Sequence, residues 1–398
     1  MSYYRHRFVF FLLSPFFRLF LKIRYNFHAE RYGGKKTANF ILSNHVCTMD
    51  PFMVSMSFRA PIYFVTSEHI LRLGFISKVI KFLVDPIGKL KSTSDLVTVK
   101  QMLHKLKQNK NVCLFPEGNR TFNGVTAYIA PAIGKLIKAS GVDVLFYVIE
   151  EGYLADPRWG ETVRKGQLTG RVKSVLRPED YRKMSSDEIV TLVRKELFVQ
   201  PTPIECKNSI LFQGKCLAEH LERTVFLCPK CNKIATIQTK GDKGICTNCE
   251  LAFEYLSTGY LYGAELPFQT IYEWDMWQRE YITSHRFYEG TLICEDRNEY
   301  MYLISRSKKN QLIGIGTLKL FTNKLQFINT HTEEIYEYDF DMIENMIVHG
   351  RQVLQFSYSN KDFYEFKNKS VRSAVKYMYY FYFYKQASKG DFNGFFGI

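Results

Sequence analysis

The hydrophobic N-terminus lacks an apolar run long enough to be expected to span a membrane. The apolar run Phe8–Phe17 (FVFFLLSPFF) is broken by Arg18, Lys22 and Arg24. A spanning helix needs about 20 apolar residues. No small-residue cleavage site follows the run, so a secretory signal peptide is not expected. Acid is scarce there as well: residues 1–36 hold eight Lys/Arg and one acid, Glu30. The pattern of a secreted disulfide framework is missing too. The cysteine count is odd, at nine, and four of them form two C-x-x-C pairs, which points to metal-bound or reduced thiols. There is no internal repeat and no low-complexity tract.

What is present is basic, aromatic and globular. The net charge of +15 favours an anionic partner: nucleic acid, anionic lipid or a phosphorylated substrate. Aromatics make up 16% of residues, which suits strand-rich folding or lipid contact without deciding between them. With 398 residues, two or three domains are expected. If Phe10–Ile23 is helical, Ser14, Arg18 and Lys22 form a narrow polar stripe among Phe and Leu. That pattern fits a helix lying in the membrane interface with its basic side chains reaching the headgroups. The competing reading is a helix that caps the protein's own core.

Residues 35–200 alternate short apolar runs with helical spacing, the pattern of an α/β sheet. Strands are expected at Ala38–Ser43, Ile62–Val65, Val112–Phe115 and Val142–Ile149. Helices are expected at Leu96–Leu106, Pro131–Ala139 and Arg177–Leu197. Pro201-Thr202-Pro203 reads as a boundary. A linker and a cysteine module follow over 201–285, with a helix near 270–283. From 286 to 398, strands alternate in steps of two, as at Leu318/Leu320, Leu325/Phe327, Tyr336/Tyr338/Phe340 and Leu354/Phe356/Tyr358. A helix near Ser370–Gln386 closes the chain.

Two turns carry chemistry. In Asn44-His45-Val46-Cys47-Thr48-Met49-Asp50 a strand ends at His45, and Asp50-Pro51 makes a helix start with Asp at the N-cap. A hydroxyl attacks a thioester poorly unless a base takes its proton. Neutral imidazole, with a pKa near 6.5, suits that task, and a carboxylate on its other nitrogen fixes the tautomer. Cys47 offers a rival Cys–His nucleophile pair, and the competing reading of Asp50 is a plain helix cap. In Phe115-Pro116-Glu117-Gly118-Asn119-Arg120-Thr121, Gly118 permits close backbone approach and Arg120 offers a fork for phosphate. Thr121 and the turn amides of Gly118 and Asn119 add donors. Glu117 would orient Arg120 or accept a bond from a glycerol hydroxyl.

Together, Asn-His-x4-Asp and the later Phe-Pro-Glu-Gly-Asn-Arg-Thr resemble the glycerolipid acyltransferases, the group that includes the 1-acylglycerol-3-phosphate acyltransferases. The resemblance covers residues 35–200. It implies an α/β sheet flanked by helices, His45 as general base oriented by Asp50, and a phosphate contact through Glu117, Gly118 and Arg120. It also implies acyl-CoA or acyl-carrier protein as donor, a lysophospholipid acceptor, and a peripheral or monotopic enzyme on the cytoplasmic face of an anionic membrane. Two features depart from the family. The segment Val84–Lys91 lacks the usual Arg, leaving Lys89 or Lys91 to substitute, and the strand Val144–Val148 lacks the usual Pro.

Cys228-x-x-Cys231 and Cys246-x-x-Cys249, fourteen residues apart, have zinc-ribbon spacing with a core over 224–256. Four thiolates leave no open position, so the zinc is expected to be structural. Iron and nucleic-acid contact are the alternatives. The strands and closing helix of 286–398 resemble a pleckstrin-homology-type domain in architecture. A non-catalytic membrane- or nucleic-acid-binding protein is the alternative to the enzyme.

Overall fold

A computed structural model describes residues 3–34, 37–67, 75–89, 96–201, 211–285, 288–304, 310–359 and 362–389. The chain divides into two compact units. One comprises 1–157, 163–202 and 210–213; the other comprises 158–162, 203–209 and 214–398.

The first unit is α/β. It begins with helix α1 (Tyr3–Tyr25), then strands β1 (Phe27–Ala29) and β2 (Asn39–Ser43), then α2 (Asp50–Ser55). Strand β3 (Ile62–Ser67), α3 (Phe75–Val84), β4 (Ile87–Lys89), α4 (Leu96–Lys107) and β5 (Asn111–Leu114) follow. After α5 (Ala132–Ser140) come β6 (Asp143–Glu150), the short α6 (Gly152–Ala155) and β7 (Leu168–Leu176). Helices α7 (Pro178–Tyr181) and α8 (Ser186–Leu197) end the unit. The sheet order is β1-β7-β6-β2-β5-β3-β4, parallel except for the β6–β7 pair. The central strand β2 is buried at every residue, as its unbroken apolar run requires of a parallel strand covered on both faces. Phe40, Leu42, Val112, Val144 and Phe146 pack one face of the sheet against Met102 and Leu106 of α4, Ile133 and Ile137 of α5, and Val190, Val193 and Leu197 of α8.

Four details differ from the sequence expectations. The N-terminal helix runs through Pro15 from Tyr3 to Tyr25, not only from Phe10 to Ile23. The single helix expected over 177–197 is two, because a capping box between Ser185 and Glu188 starts α8 afresh. Strands β1, β4 and β7 and helix α3 were not expected. Asp50 is the first residue of α2 and does not cap it: the residue before the helix is Met49, without a side-chain cap. The carboxylate of Asp50 turns back toward the preceding loop instead.

Helix α1 carries both faces that the sequence left as rivals. Val9, Leu21 and Tyr25 are buried, and Phe17 stacks on Phe52 of α2 at 4.3 Å between ring centres. Phe8, Leu12, Phe16, Leu19 and Ile23 are exposed. Arg18 does not extend away from the protein, since its Nη2 donates to the Met56 carbonyl at 2.8 Å.

The second unit holds a four-stranded antiparallel sheet: β8 (Ile237–Lys240), β9 (Lys243–Cys246), β10 (Ala252–Tyr255) and β11 (Leu261–Tyr262). Helix α9 (Ile271–Ser284) follows. Trp274 Nε1 donates to the Leu227 carbonyl at 2.9 Å, and Gln278 Oε1 accepts from the amides of Phe226 and Leu227, so α9 holds the chain just before Cys228. Seven antiparallel strands come next: β12 (Leu292–Leu303), β13 (Gln311–Phe321), β14 (Lys324–Asn329), β15 (Ile335–Asp339), β16 (Ile343–His349), β17 (Val353–Tyr358) and β18 (Asp362–Lys367). Their order is β15-β14-β13-β12-β18-β17-β16, so the first strand pairs with the last. Helix α10 (Val375–Lys389) closes the unit. The alternation read from the sequence is the burial pattern in β13 and β14, where Leu318, Leu320, Leu325 and Phe327 are buried; in β17 Gln355 is buried between Leu354 and Phe356, and Tyr336 and Tyr358 are only half-buried.

Candidate active site and metal centre

Strands β2 and β5 lie side by side and parallel, so the turns that follow them leave the same edge of the sheet. This is the usual place for a site in a parallel sheet, outside the carboxyl ends of its strands. His45 follows β2. Its Nδ1 lies 2.8 Å from Asp50 Oδ2, and the ring stacks on Phe115 at 4.6 Å. Asp50 is fully buried. Its carboxylate also accepts the amides of Val46 at 2.7 Å and Cys47 at 2.9 Å, so it shapes the whole loop as well as the imidazole. With Nδ1–H given to Asp50, the lone pair of His45 is on Nε2, the other edge of the ring. Asn44 braces the loop from the far side: its amide exchanges two hydrogen bonds with the Ile149 backbone of β6.

The Cys47 side chain is turned into the protein. Its thiol is fully buried and donates to the Gly152 carbonyl at 3.1 Å. Burial, helped by the nearby Asp50 charge, pushes it well above the usual thiol range.

The second turn is built differently from the sequence expectation. Glu117 Oε1 accepts the His45 amide and Oε2 the Ala127 amide, each at 2.7 Å, and the side chain is buried. Glu117 therefore ties the two turns together, where it was expected to hold Arg120 or a glycerol hydroxyl. Burial pushes its carboxyl up to about 8, against the lowering effect of the two amide bonds. Thr121 is also turned inward, its hydroxyl accepting the Gly124 amide at 3.0 Å. Gly118 has a φ of +74°, the left-handed region that glycine enters at no steric cost, and Gly118 and Asn119 are exposed.

The carboxylate on Arg120 is Asp156. Arg120 Nη1 donates to Asp156 Oδ2 at 3.2 Å and to Thr48 Oγ1 at 2.9 Å, while the same Oδ2 accepts the Thr48 amide at 2.9 Å. Sequence reasoning missed Asp156, as it missed the segment 151–156 that carries it. The signal was Gly152: a Cβ there would sit 2.5 Å from Val46 and 2.9 Å from the Cys47 sulfur, so only glycine lets this segment pack on the His45 loop. Tyr153 adds a bond from its hydroxyl to the Phe122 carbonyl at 2.8 Å. Lys91 lies outside the described residues, and Lys89 ends β4.

A family model described as Acyltransferase matches residues 24–149. A 1-acyl-sn-glycerol-3-phosphate acyltransferase of Borreliella burgdorferi is 23% identical to this chain over 112 residues, which is 28% of this chain and 45% of that protein. The chain thus matches under half of that relative's length. Among solved structures, the 1-acyl-sn-glycerophosphate acyltransferase PlsC from Thermotoga maritima superposes with a TM-score of 0.40 at 17% identity, over 48% of this chain and 78% of that one. The Vps36 N-terminal PH domain superposes with a TM-score of 0.21 at 12% identity, over 26% and 86%. The stretch matched by the family model contains both chemical turns.

In the second unit the sulfurs of Cys228, Cys231, Cys246 and Cys249 all lie within 4.8 Å of one another. Cys228–Cys249 and Cys231–Cys246 are 3.5 and 3.7 Å apart. A tetrahedron with Zn–S bonds of about 2.3 Å has edges of about 3.8 Å, so the four thiols fit a tetrahedral metal. Each knuckle is closed by its own backbone: the Asn232 amide donates to the Cys228 carbonyl and the Glu250 amide to the Cys246 carbonyl, both at 2.9 Å. Asn232 and Glu250 sit at positive φ to make these turns.

Proposed function

We propose that the chain moves a fatty acyl group from acyl-CoA or acyl-carrier protein to the free hydroxyl of a lysophospholipid, with 1-acylglycerol-3-phosphate the best-fitting acceptor and phosphatidate the product. The observation that carries this reading is the 2.8 Å contact between His45 Nδ1 and buried Asp50 Oδ2 within an acyltransferase domain. His45 Nε2 takes the hydroxyl proton as the oxygen attacks the thioester carbonyl. The C–S bond then breaks, and the thiolate leaves with that proton. Asp50 stabilises the imidazolium formed in between. A buried, protonated Cys47 supports direct transfer with no acyl-enzyme.

The exposed apolar face of α1 supports binding at the surface of an anionic membrane, where both lipids reside. Among the described residues no helix is long and apolar enough to cross a membrane. The four cysteines would hold one structural zinc, whose chemistry here is to fix the fold of its module. The strand order of the C-terminal sheet, with its closing helix, supports a pleckstrin-homology-like domain. The test is free-thiol release when acyl-CoA and 1-acylglycerol-3-phosphate are mixed with detergent-dispersed protein. Release that depends on both substrates and on His45 supports the reading, and none with any lysophospholipid overturns it.

A further inference from the structure

Asp156 enters none of the roles above, yet it is the point at which three segments meet. Its Oδ2 takes the Thr48 amide from the His45 loop and the Arg120 guanidinium from the second turn. It is buried, and its own position is fixed from behind: its amide donates to the Gly152 carbonyl at 3.0 Å. A phosphate that reaches Arg120 therefore meets a guanidinium already engaged by a fixed carboxylate. The cation is partly neutralised, and the negative charge next to it is held in place.

We propose that Asp156 is a positioning residue that sets the acceptor's charge selectivity, holding Arg120 against the His45 loop and tempering the advantage of a doubly charged phosphate over a singly charged one. This rests on the acyl-transfer reading. Repulsion from a fixed carboxylate scales with ligand charge. A phosphomonoester, with a second pKa of about 6, carries close to two negative charges at neutral pH. A phosphodiester carries one. Asp156 thus costs 1-acylglycerol-3-phosphate more than it costs an acceptor whose phosphate bears a further headgroup.

The experiment compares kcat and KM for 1-acylglycerol-3-phosphate and for 1-acylglycerophosphoglycerol in the full chain, in Asp156→Asn and in Asp156→Glu. Asn keeps an oxygen for Thr48 and Arg120 but drops the charge. The ratio of the two kcat/KM values should rise about fivefold or more in favour of the monoester, carried by KM, and stay near the original value in the Glu variant. A merely structural role would lower both acceptors alike and leave the ratio alone, and that result overturns the proposal. If Asp156→Asn does not fold, Asp156→Ser, which also removes the charge, is read by the same ratio, and an unchanged ratio there overturns the proposal. Calorimetry with glycerol 3-phosphate separates the two readings. Tighter binding by Asp156→Asn in a protein that transfers no acyl group would sink the enzyme and keep the anion site. An active enzyme with an unchanged ratio would do the reverse.

Discussion

The amide of His45 donates to Oε1 of Glu117 at 2.7 Å, so the turn that holds the base hangs on a carboxyl from the turn that follows β5. The other oxygen takes the Ala127 amide at the same distance. Both partners are donors, and the group between them has no contact with solvent to spare.

Glu117→Gln follows from this directly. An amide nitrogen cannot accept, so the variant leaves one backbone N–H facing another donor. The expected loss is about 1–3 kcal/mol, with turnover falling as the His45 loop loosens. The pH dependence has a definite sign. The folded carboxyl titrates at about 8, above its unfolded value, so its contribution is full below the unfolded value and is lost as pH rises toward 8. Thermal melts of both proteins from acid to mildly alkaline pH should show the gap between them narrowing as pH rises. A gap that widens would mean that the folded carboxyl is charged.

The base itself is tested by kinetics. His45→Ala should lower kcat by at least about 10²-fold with the fold intact. Asp50→Asn should be severely impaired as well, because Asp50 also shapes the loop through the amides of Val46 and Cys47. Circular dichroism separates a lost base from a lost fold. Near-normal turnover in the His45 variant would end the mechanism. Cys47→Ser, by contrast, should retain most turnover, since the thiol points to a backbone carbonyl.

Which parts of this site could be read from the chain depended on distance along it. His45 and Asp50 share one loop, and their pairing was legible. Asp156 lies 108 positions from the Thr48 amide it accepts, and no local pattern links them. The same holds for Glu117, whose residue type suggested a ligand contact while its burial made it a brace. In the sheet, β2 and β5 were legible as unbroken apolar runs. Strand β12 was not, because it bulges between Asp296 and Glu299 and so loses its alternation. The split between α7 and α8 had a signal in Ser185 and Glu188, which the longer apolar spacing hid.

The cysteine site predicts its own metal content. Protein purified without chelators should contain about one zinc per chain, and Cys228→Ser should lose it. Because α9 grips Leu227 through Trp274, loss of the knuckle should expose Trp274, which is now fully buried, and shift its fluorescence to the red. Four thiolates leave no open position, so acyl transfer at His45 should persist in the variant. Elemental analysis showing neither zinc nor iron would remove the metal.

The two faces of α1 make separate predictions. Deletion of residues 1–24 would not isolate membrane binding, since it would strip Val9 and Leu21 from the core and Phe17 from Phe52 of α2. Substitutions on one face at a time resolve the question. Phe8, Leu12 and Phe16 are exposed, so changing all three to Ser should cost little stability. It should nevertheless reduce co-sedimentation with anionic vesicles, because the area that inserts is gone. Leu21, 1% exposed, is the converse: Leu21→Ala should cost about 2–5 kcal/mol and leave the vesicle binding of the folded fraction unchanged. Salt divides the remainder. The basic residues of the N-terminus act through charge, which is screened as the Debye length falls from about 10 Å at 0.1 M salt to about 3 Å at 1 M, whereas apolar insertion is not. Binding should therefore weaken with salt in the unaltered protein but not vanish, and in the triple variant it should nearly disappear at 1 M. If the triple variant sediments with vesicles as fully as the unaltered protein at high salt, the exposed face of α1 is not the membrane contact.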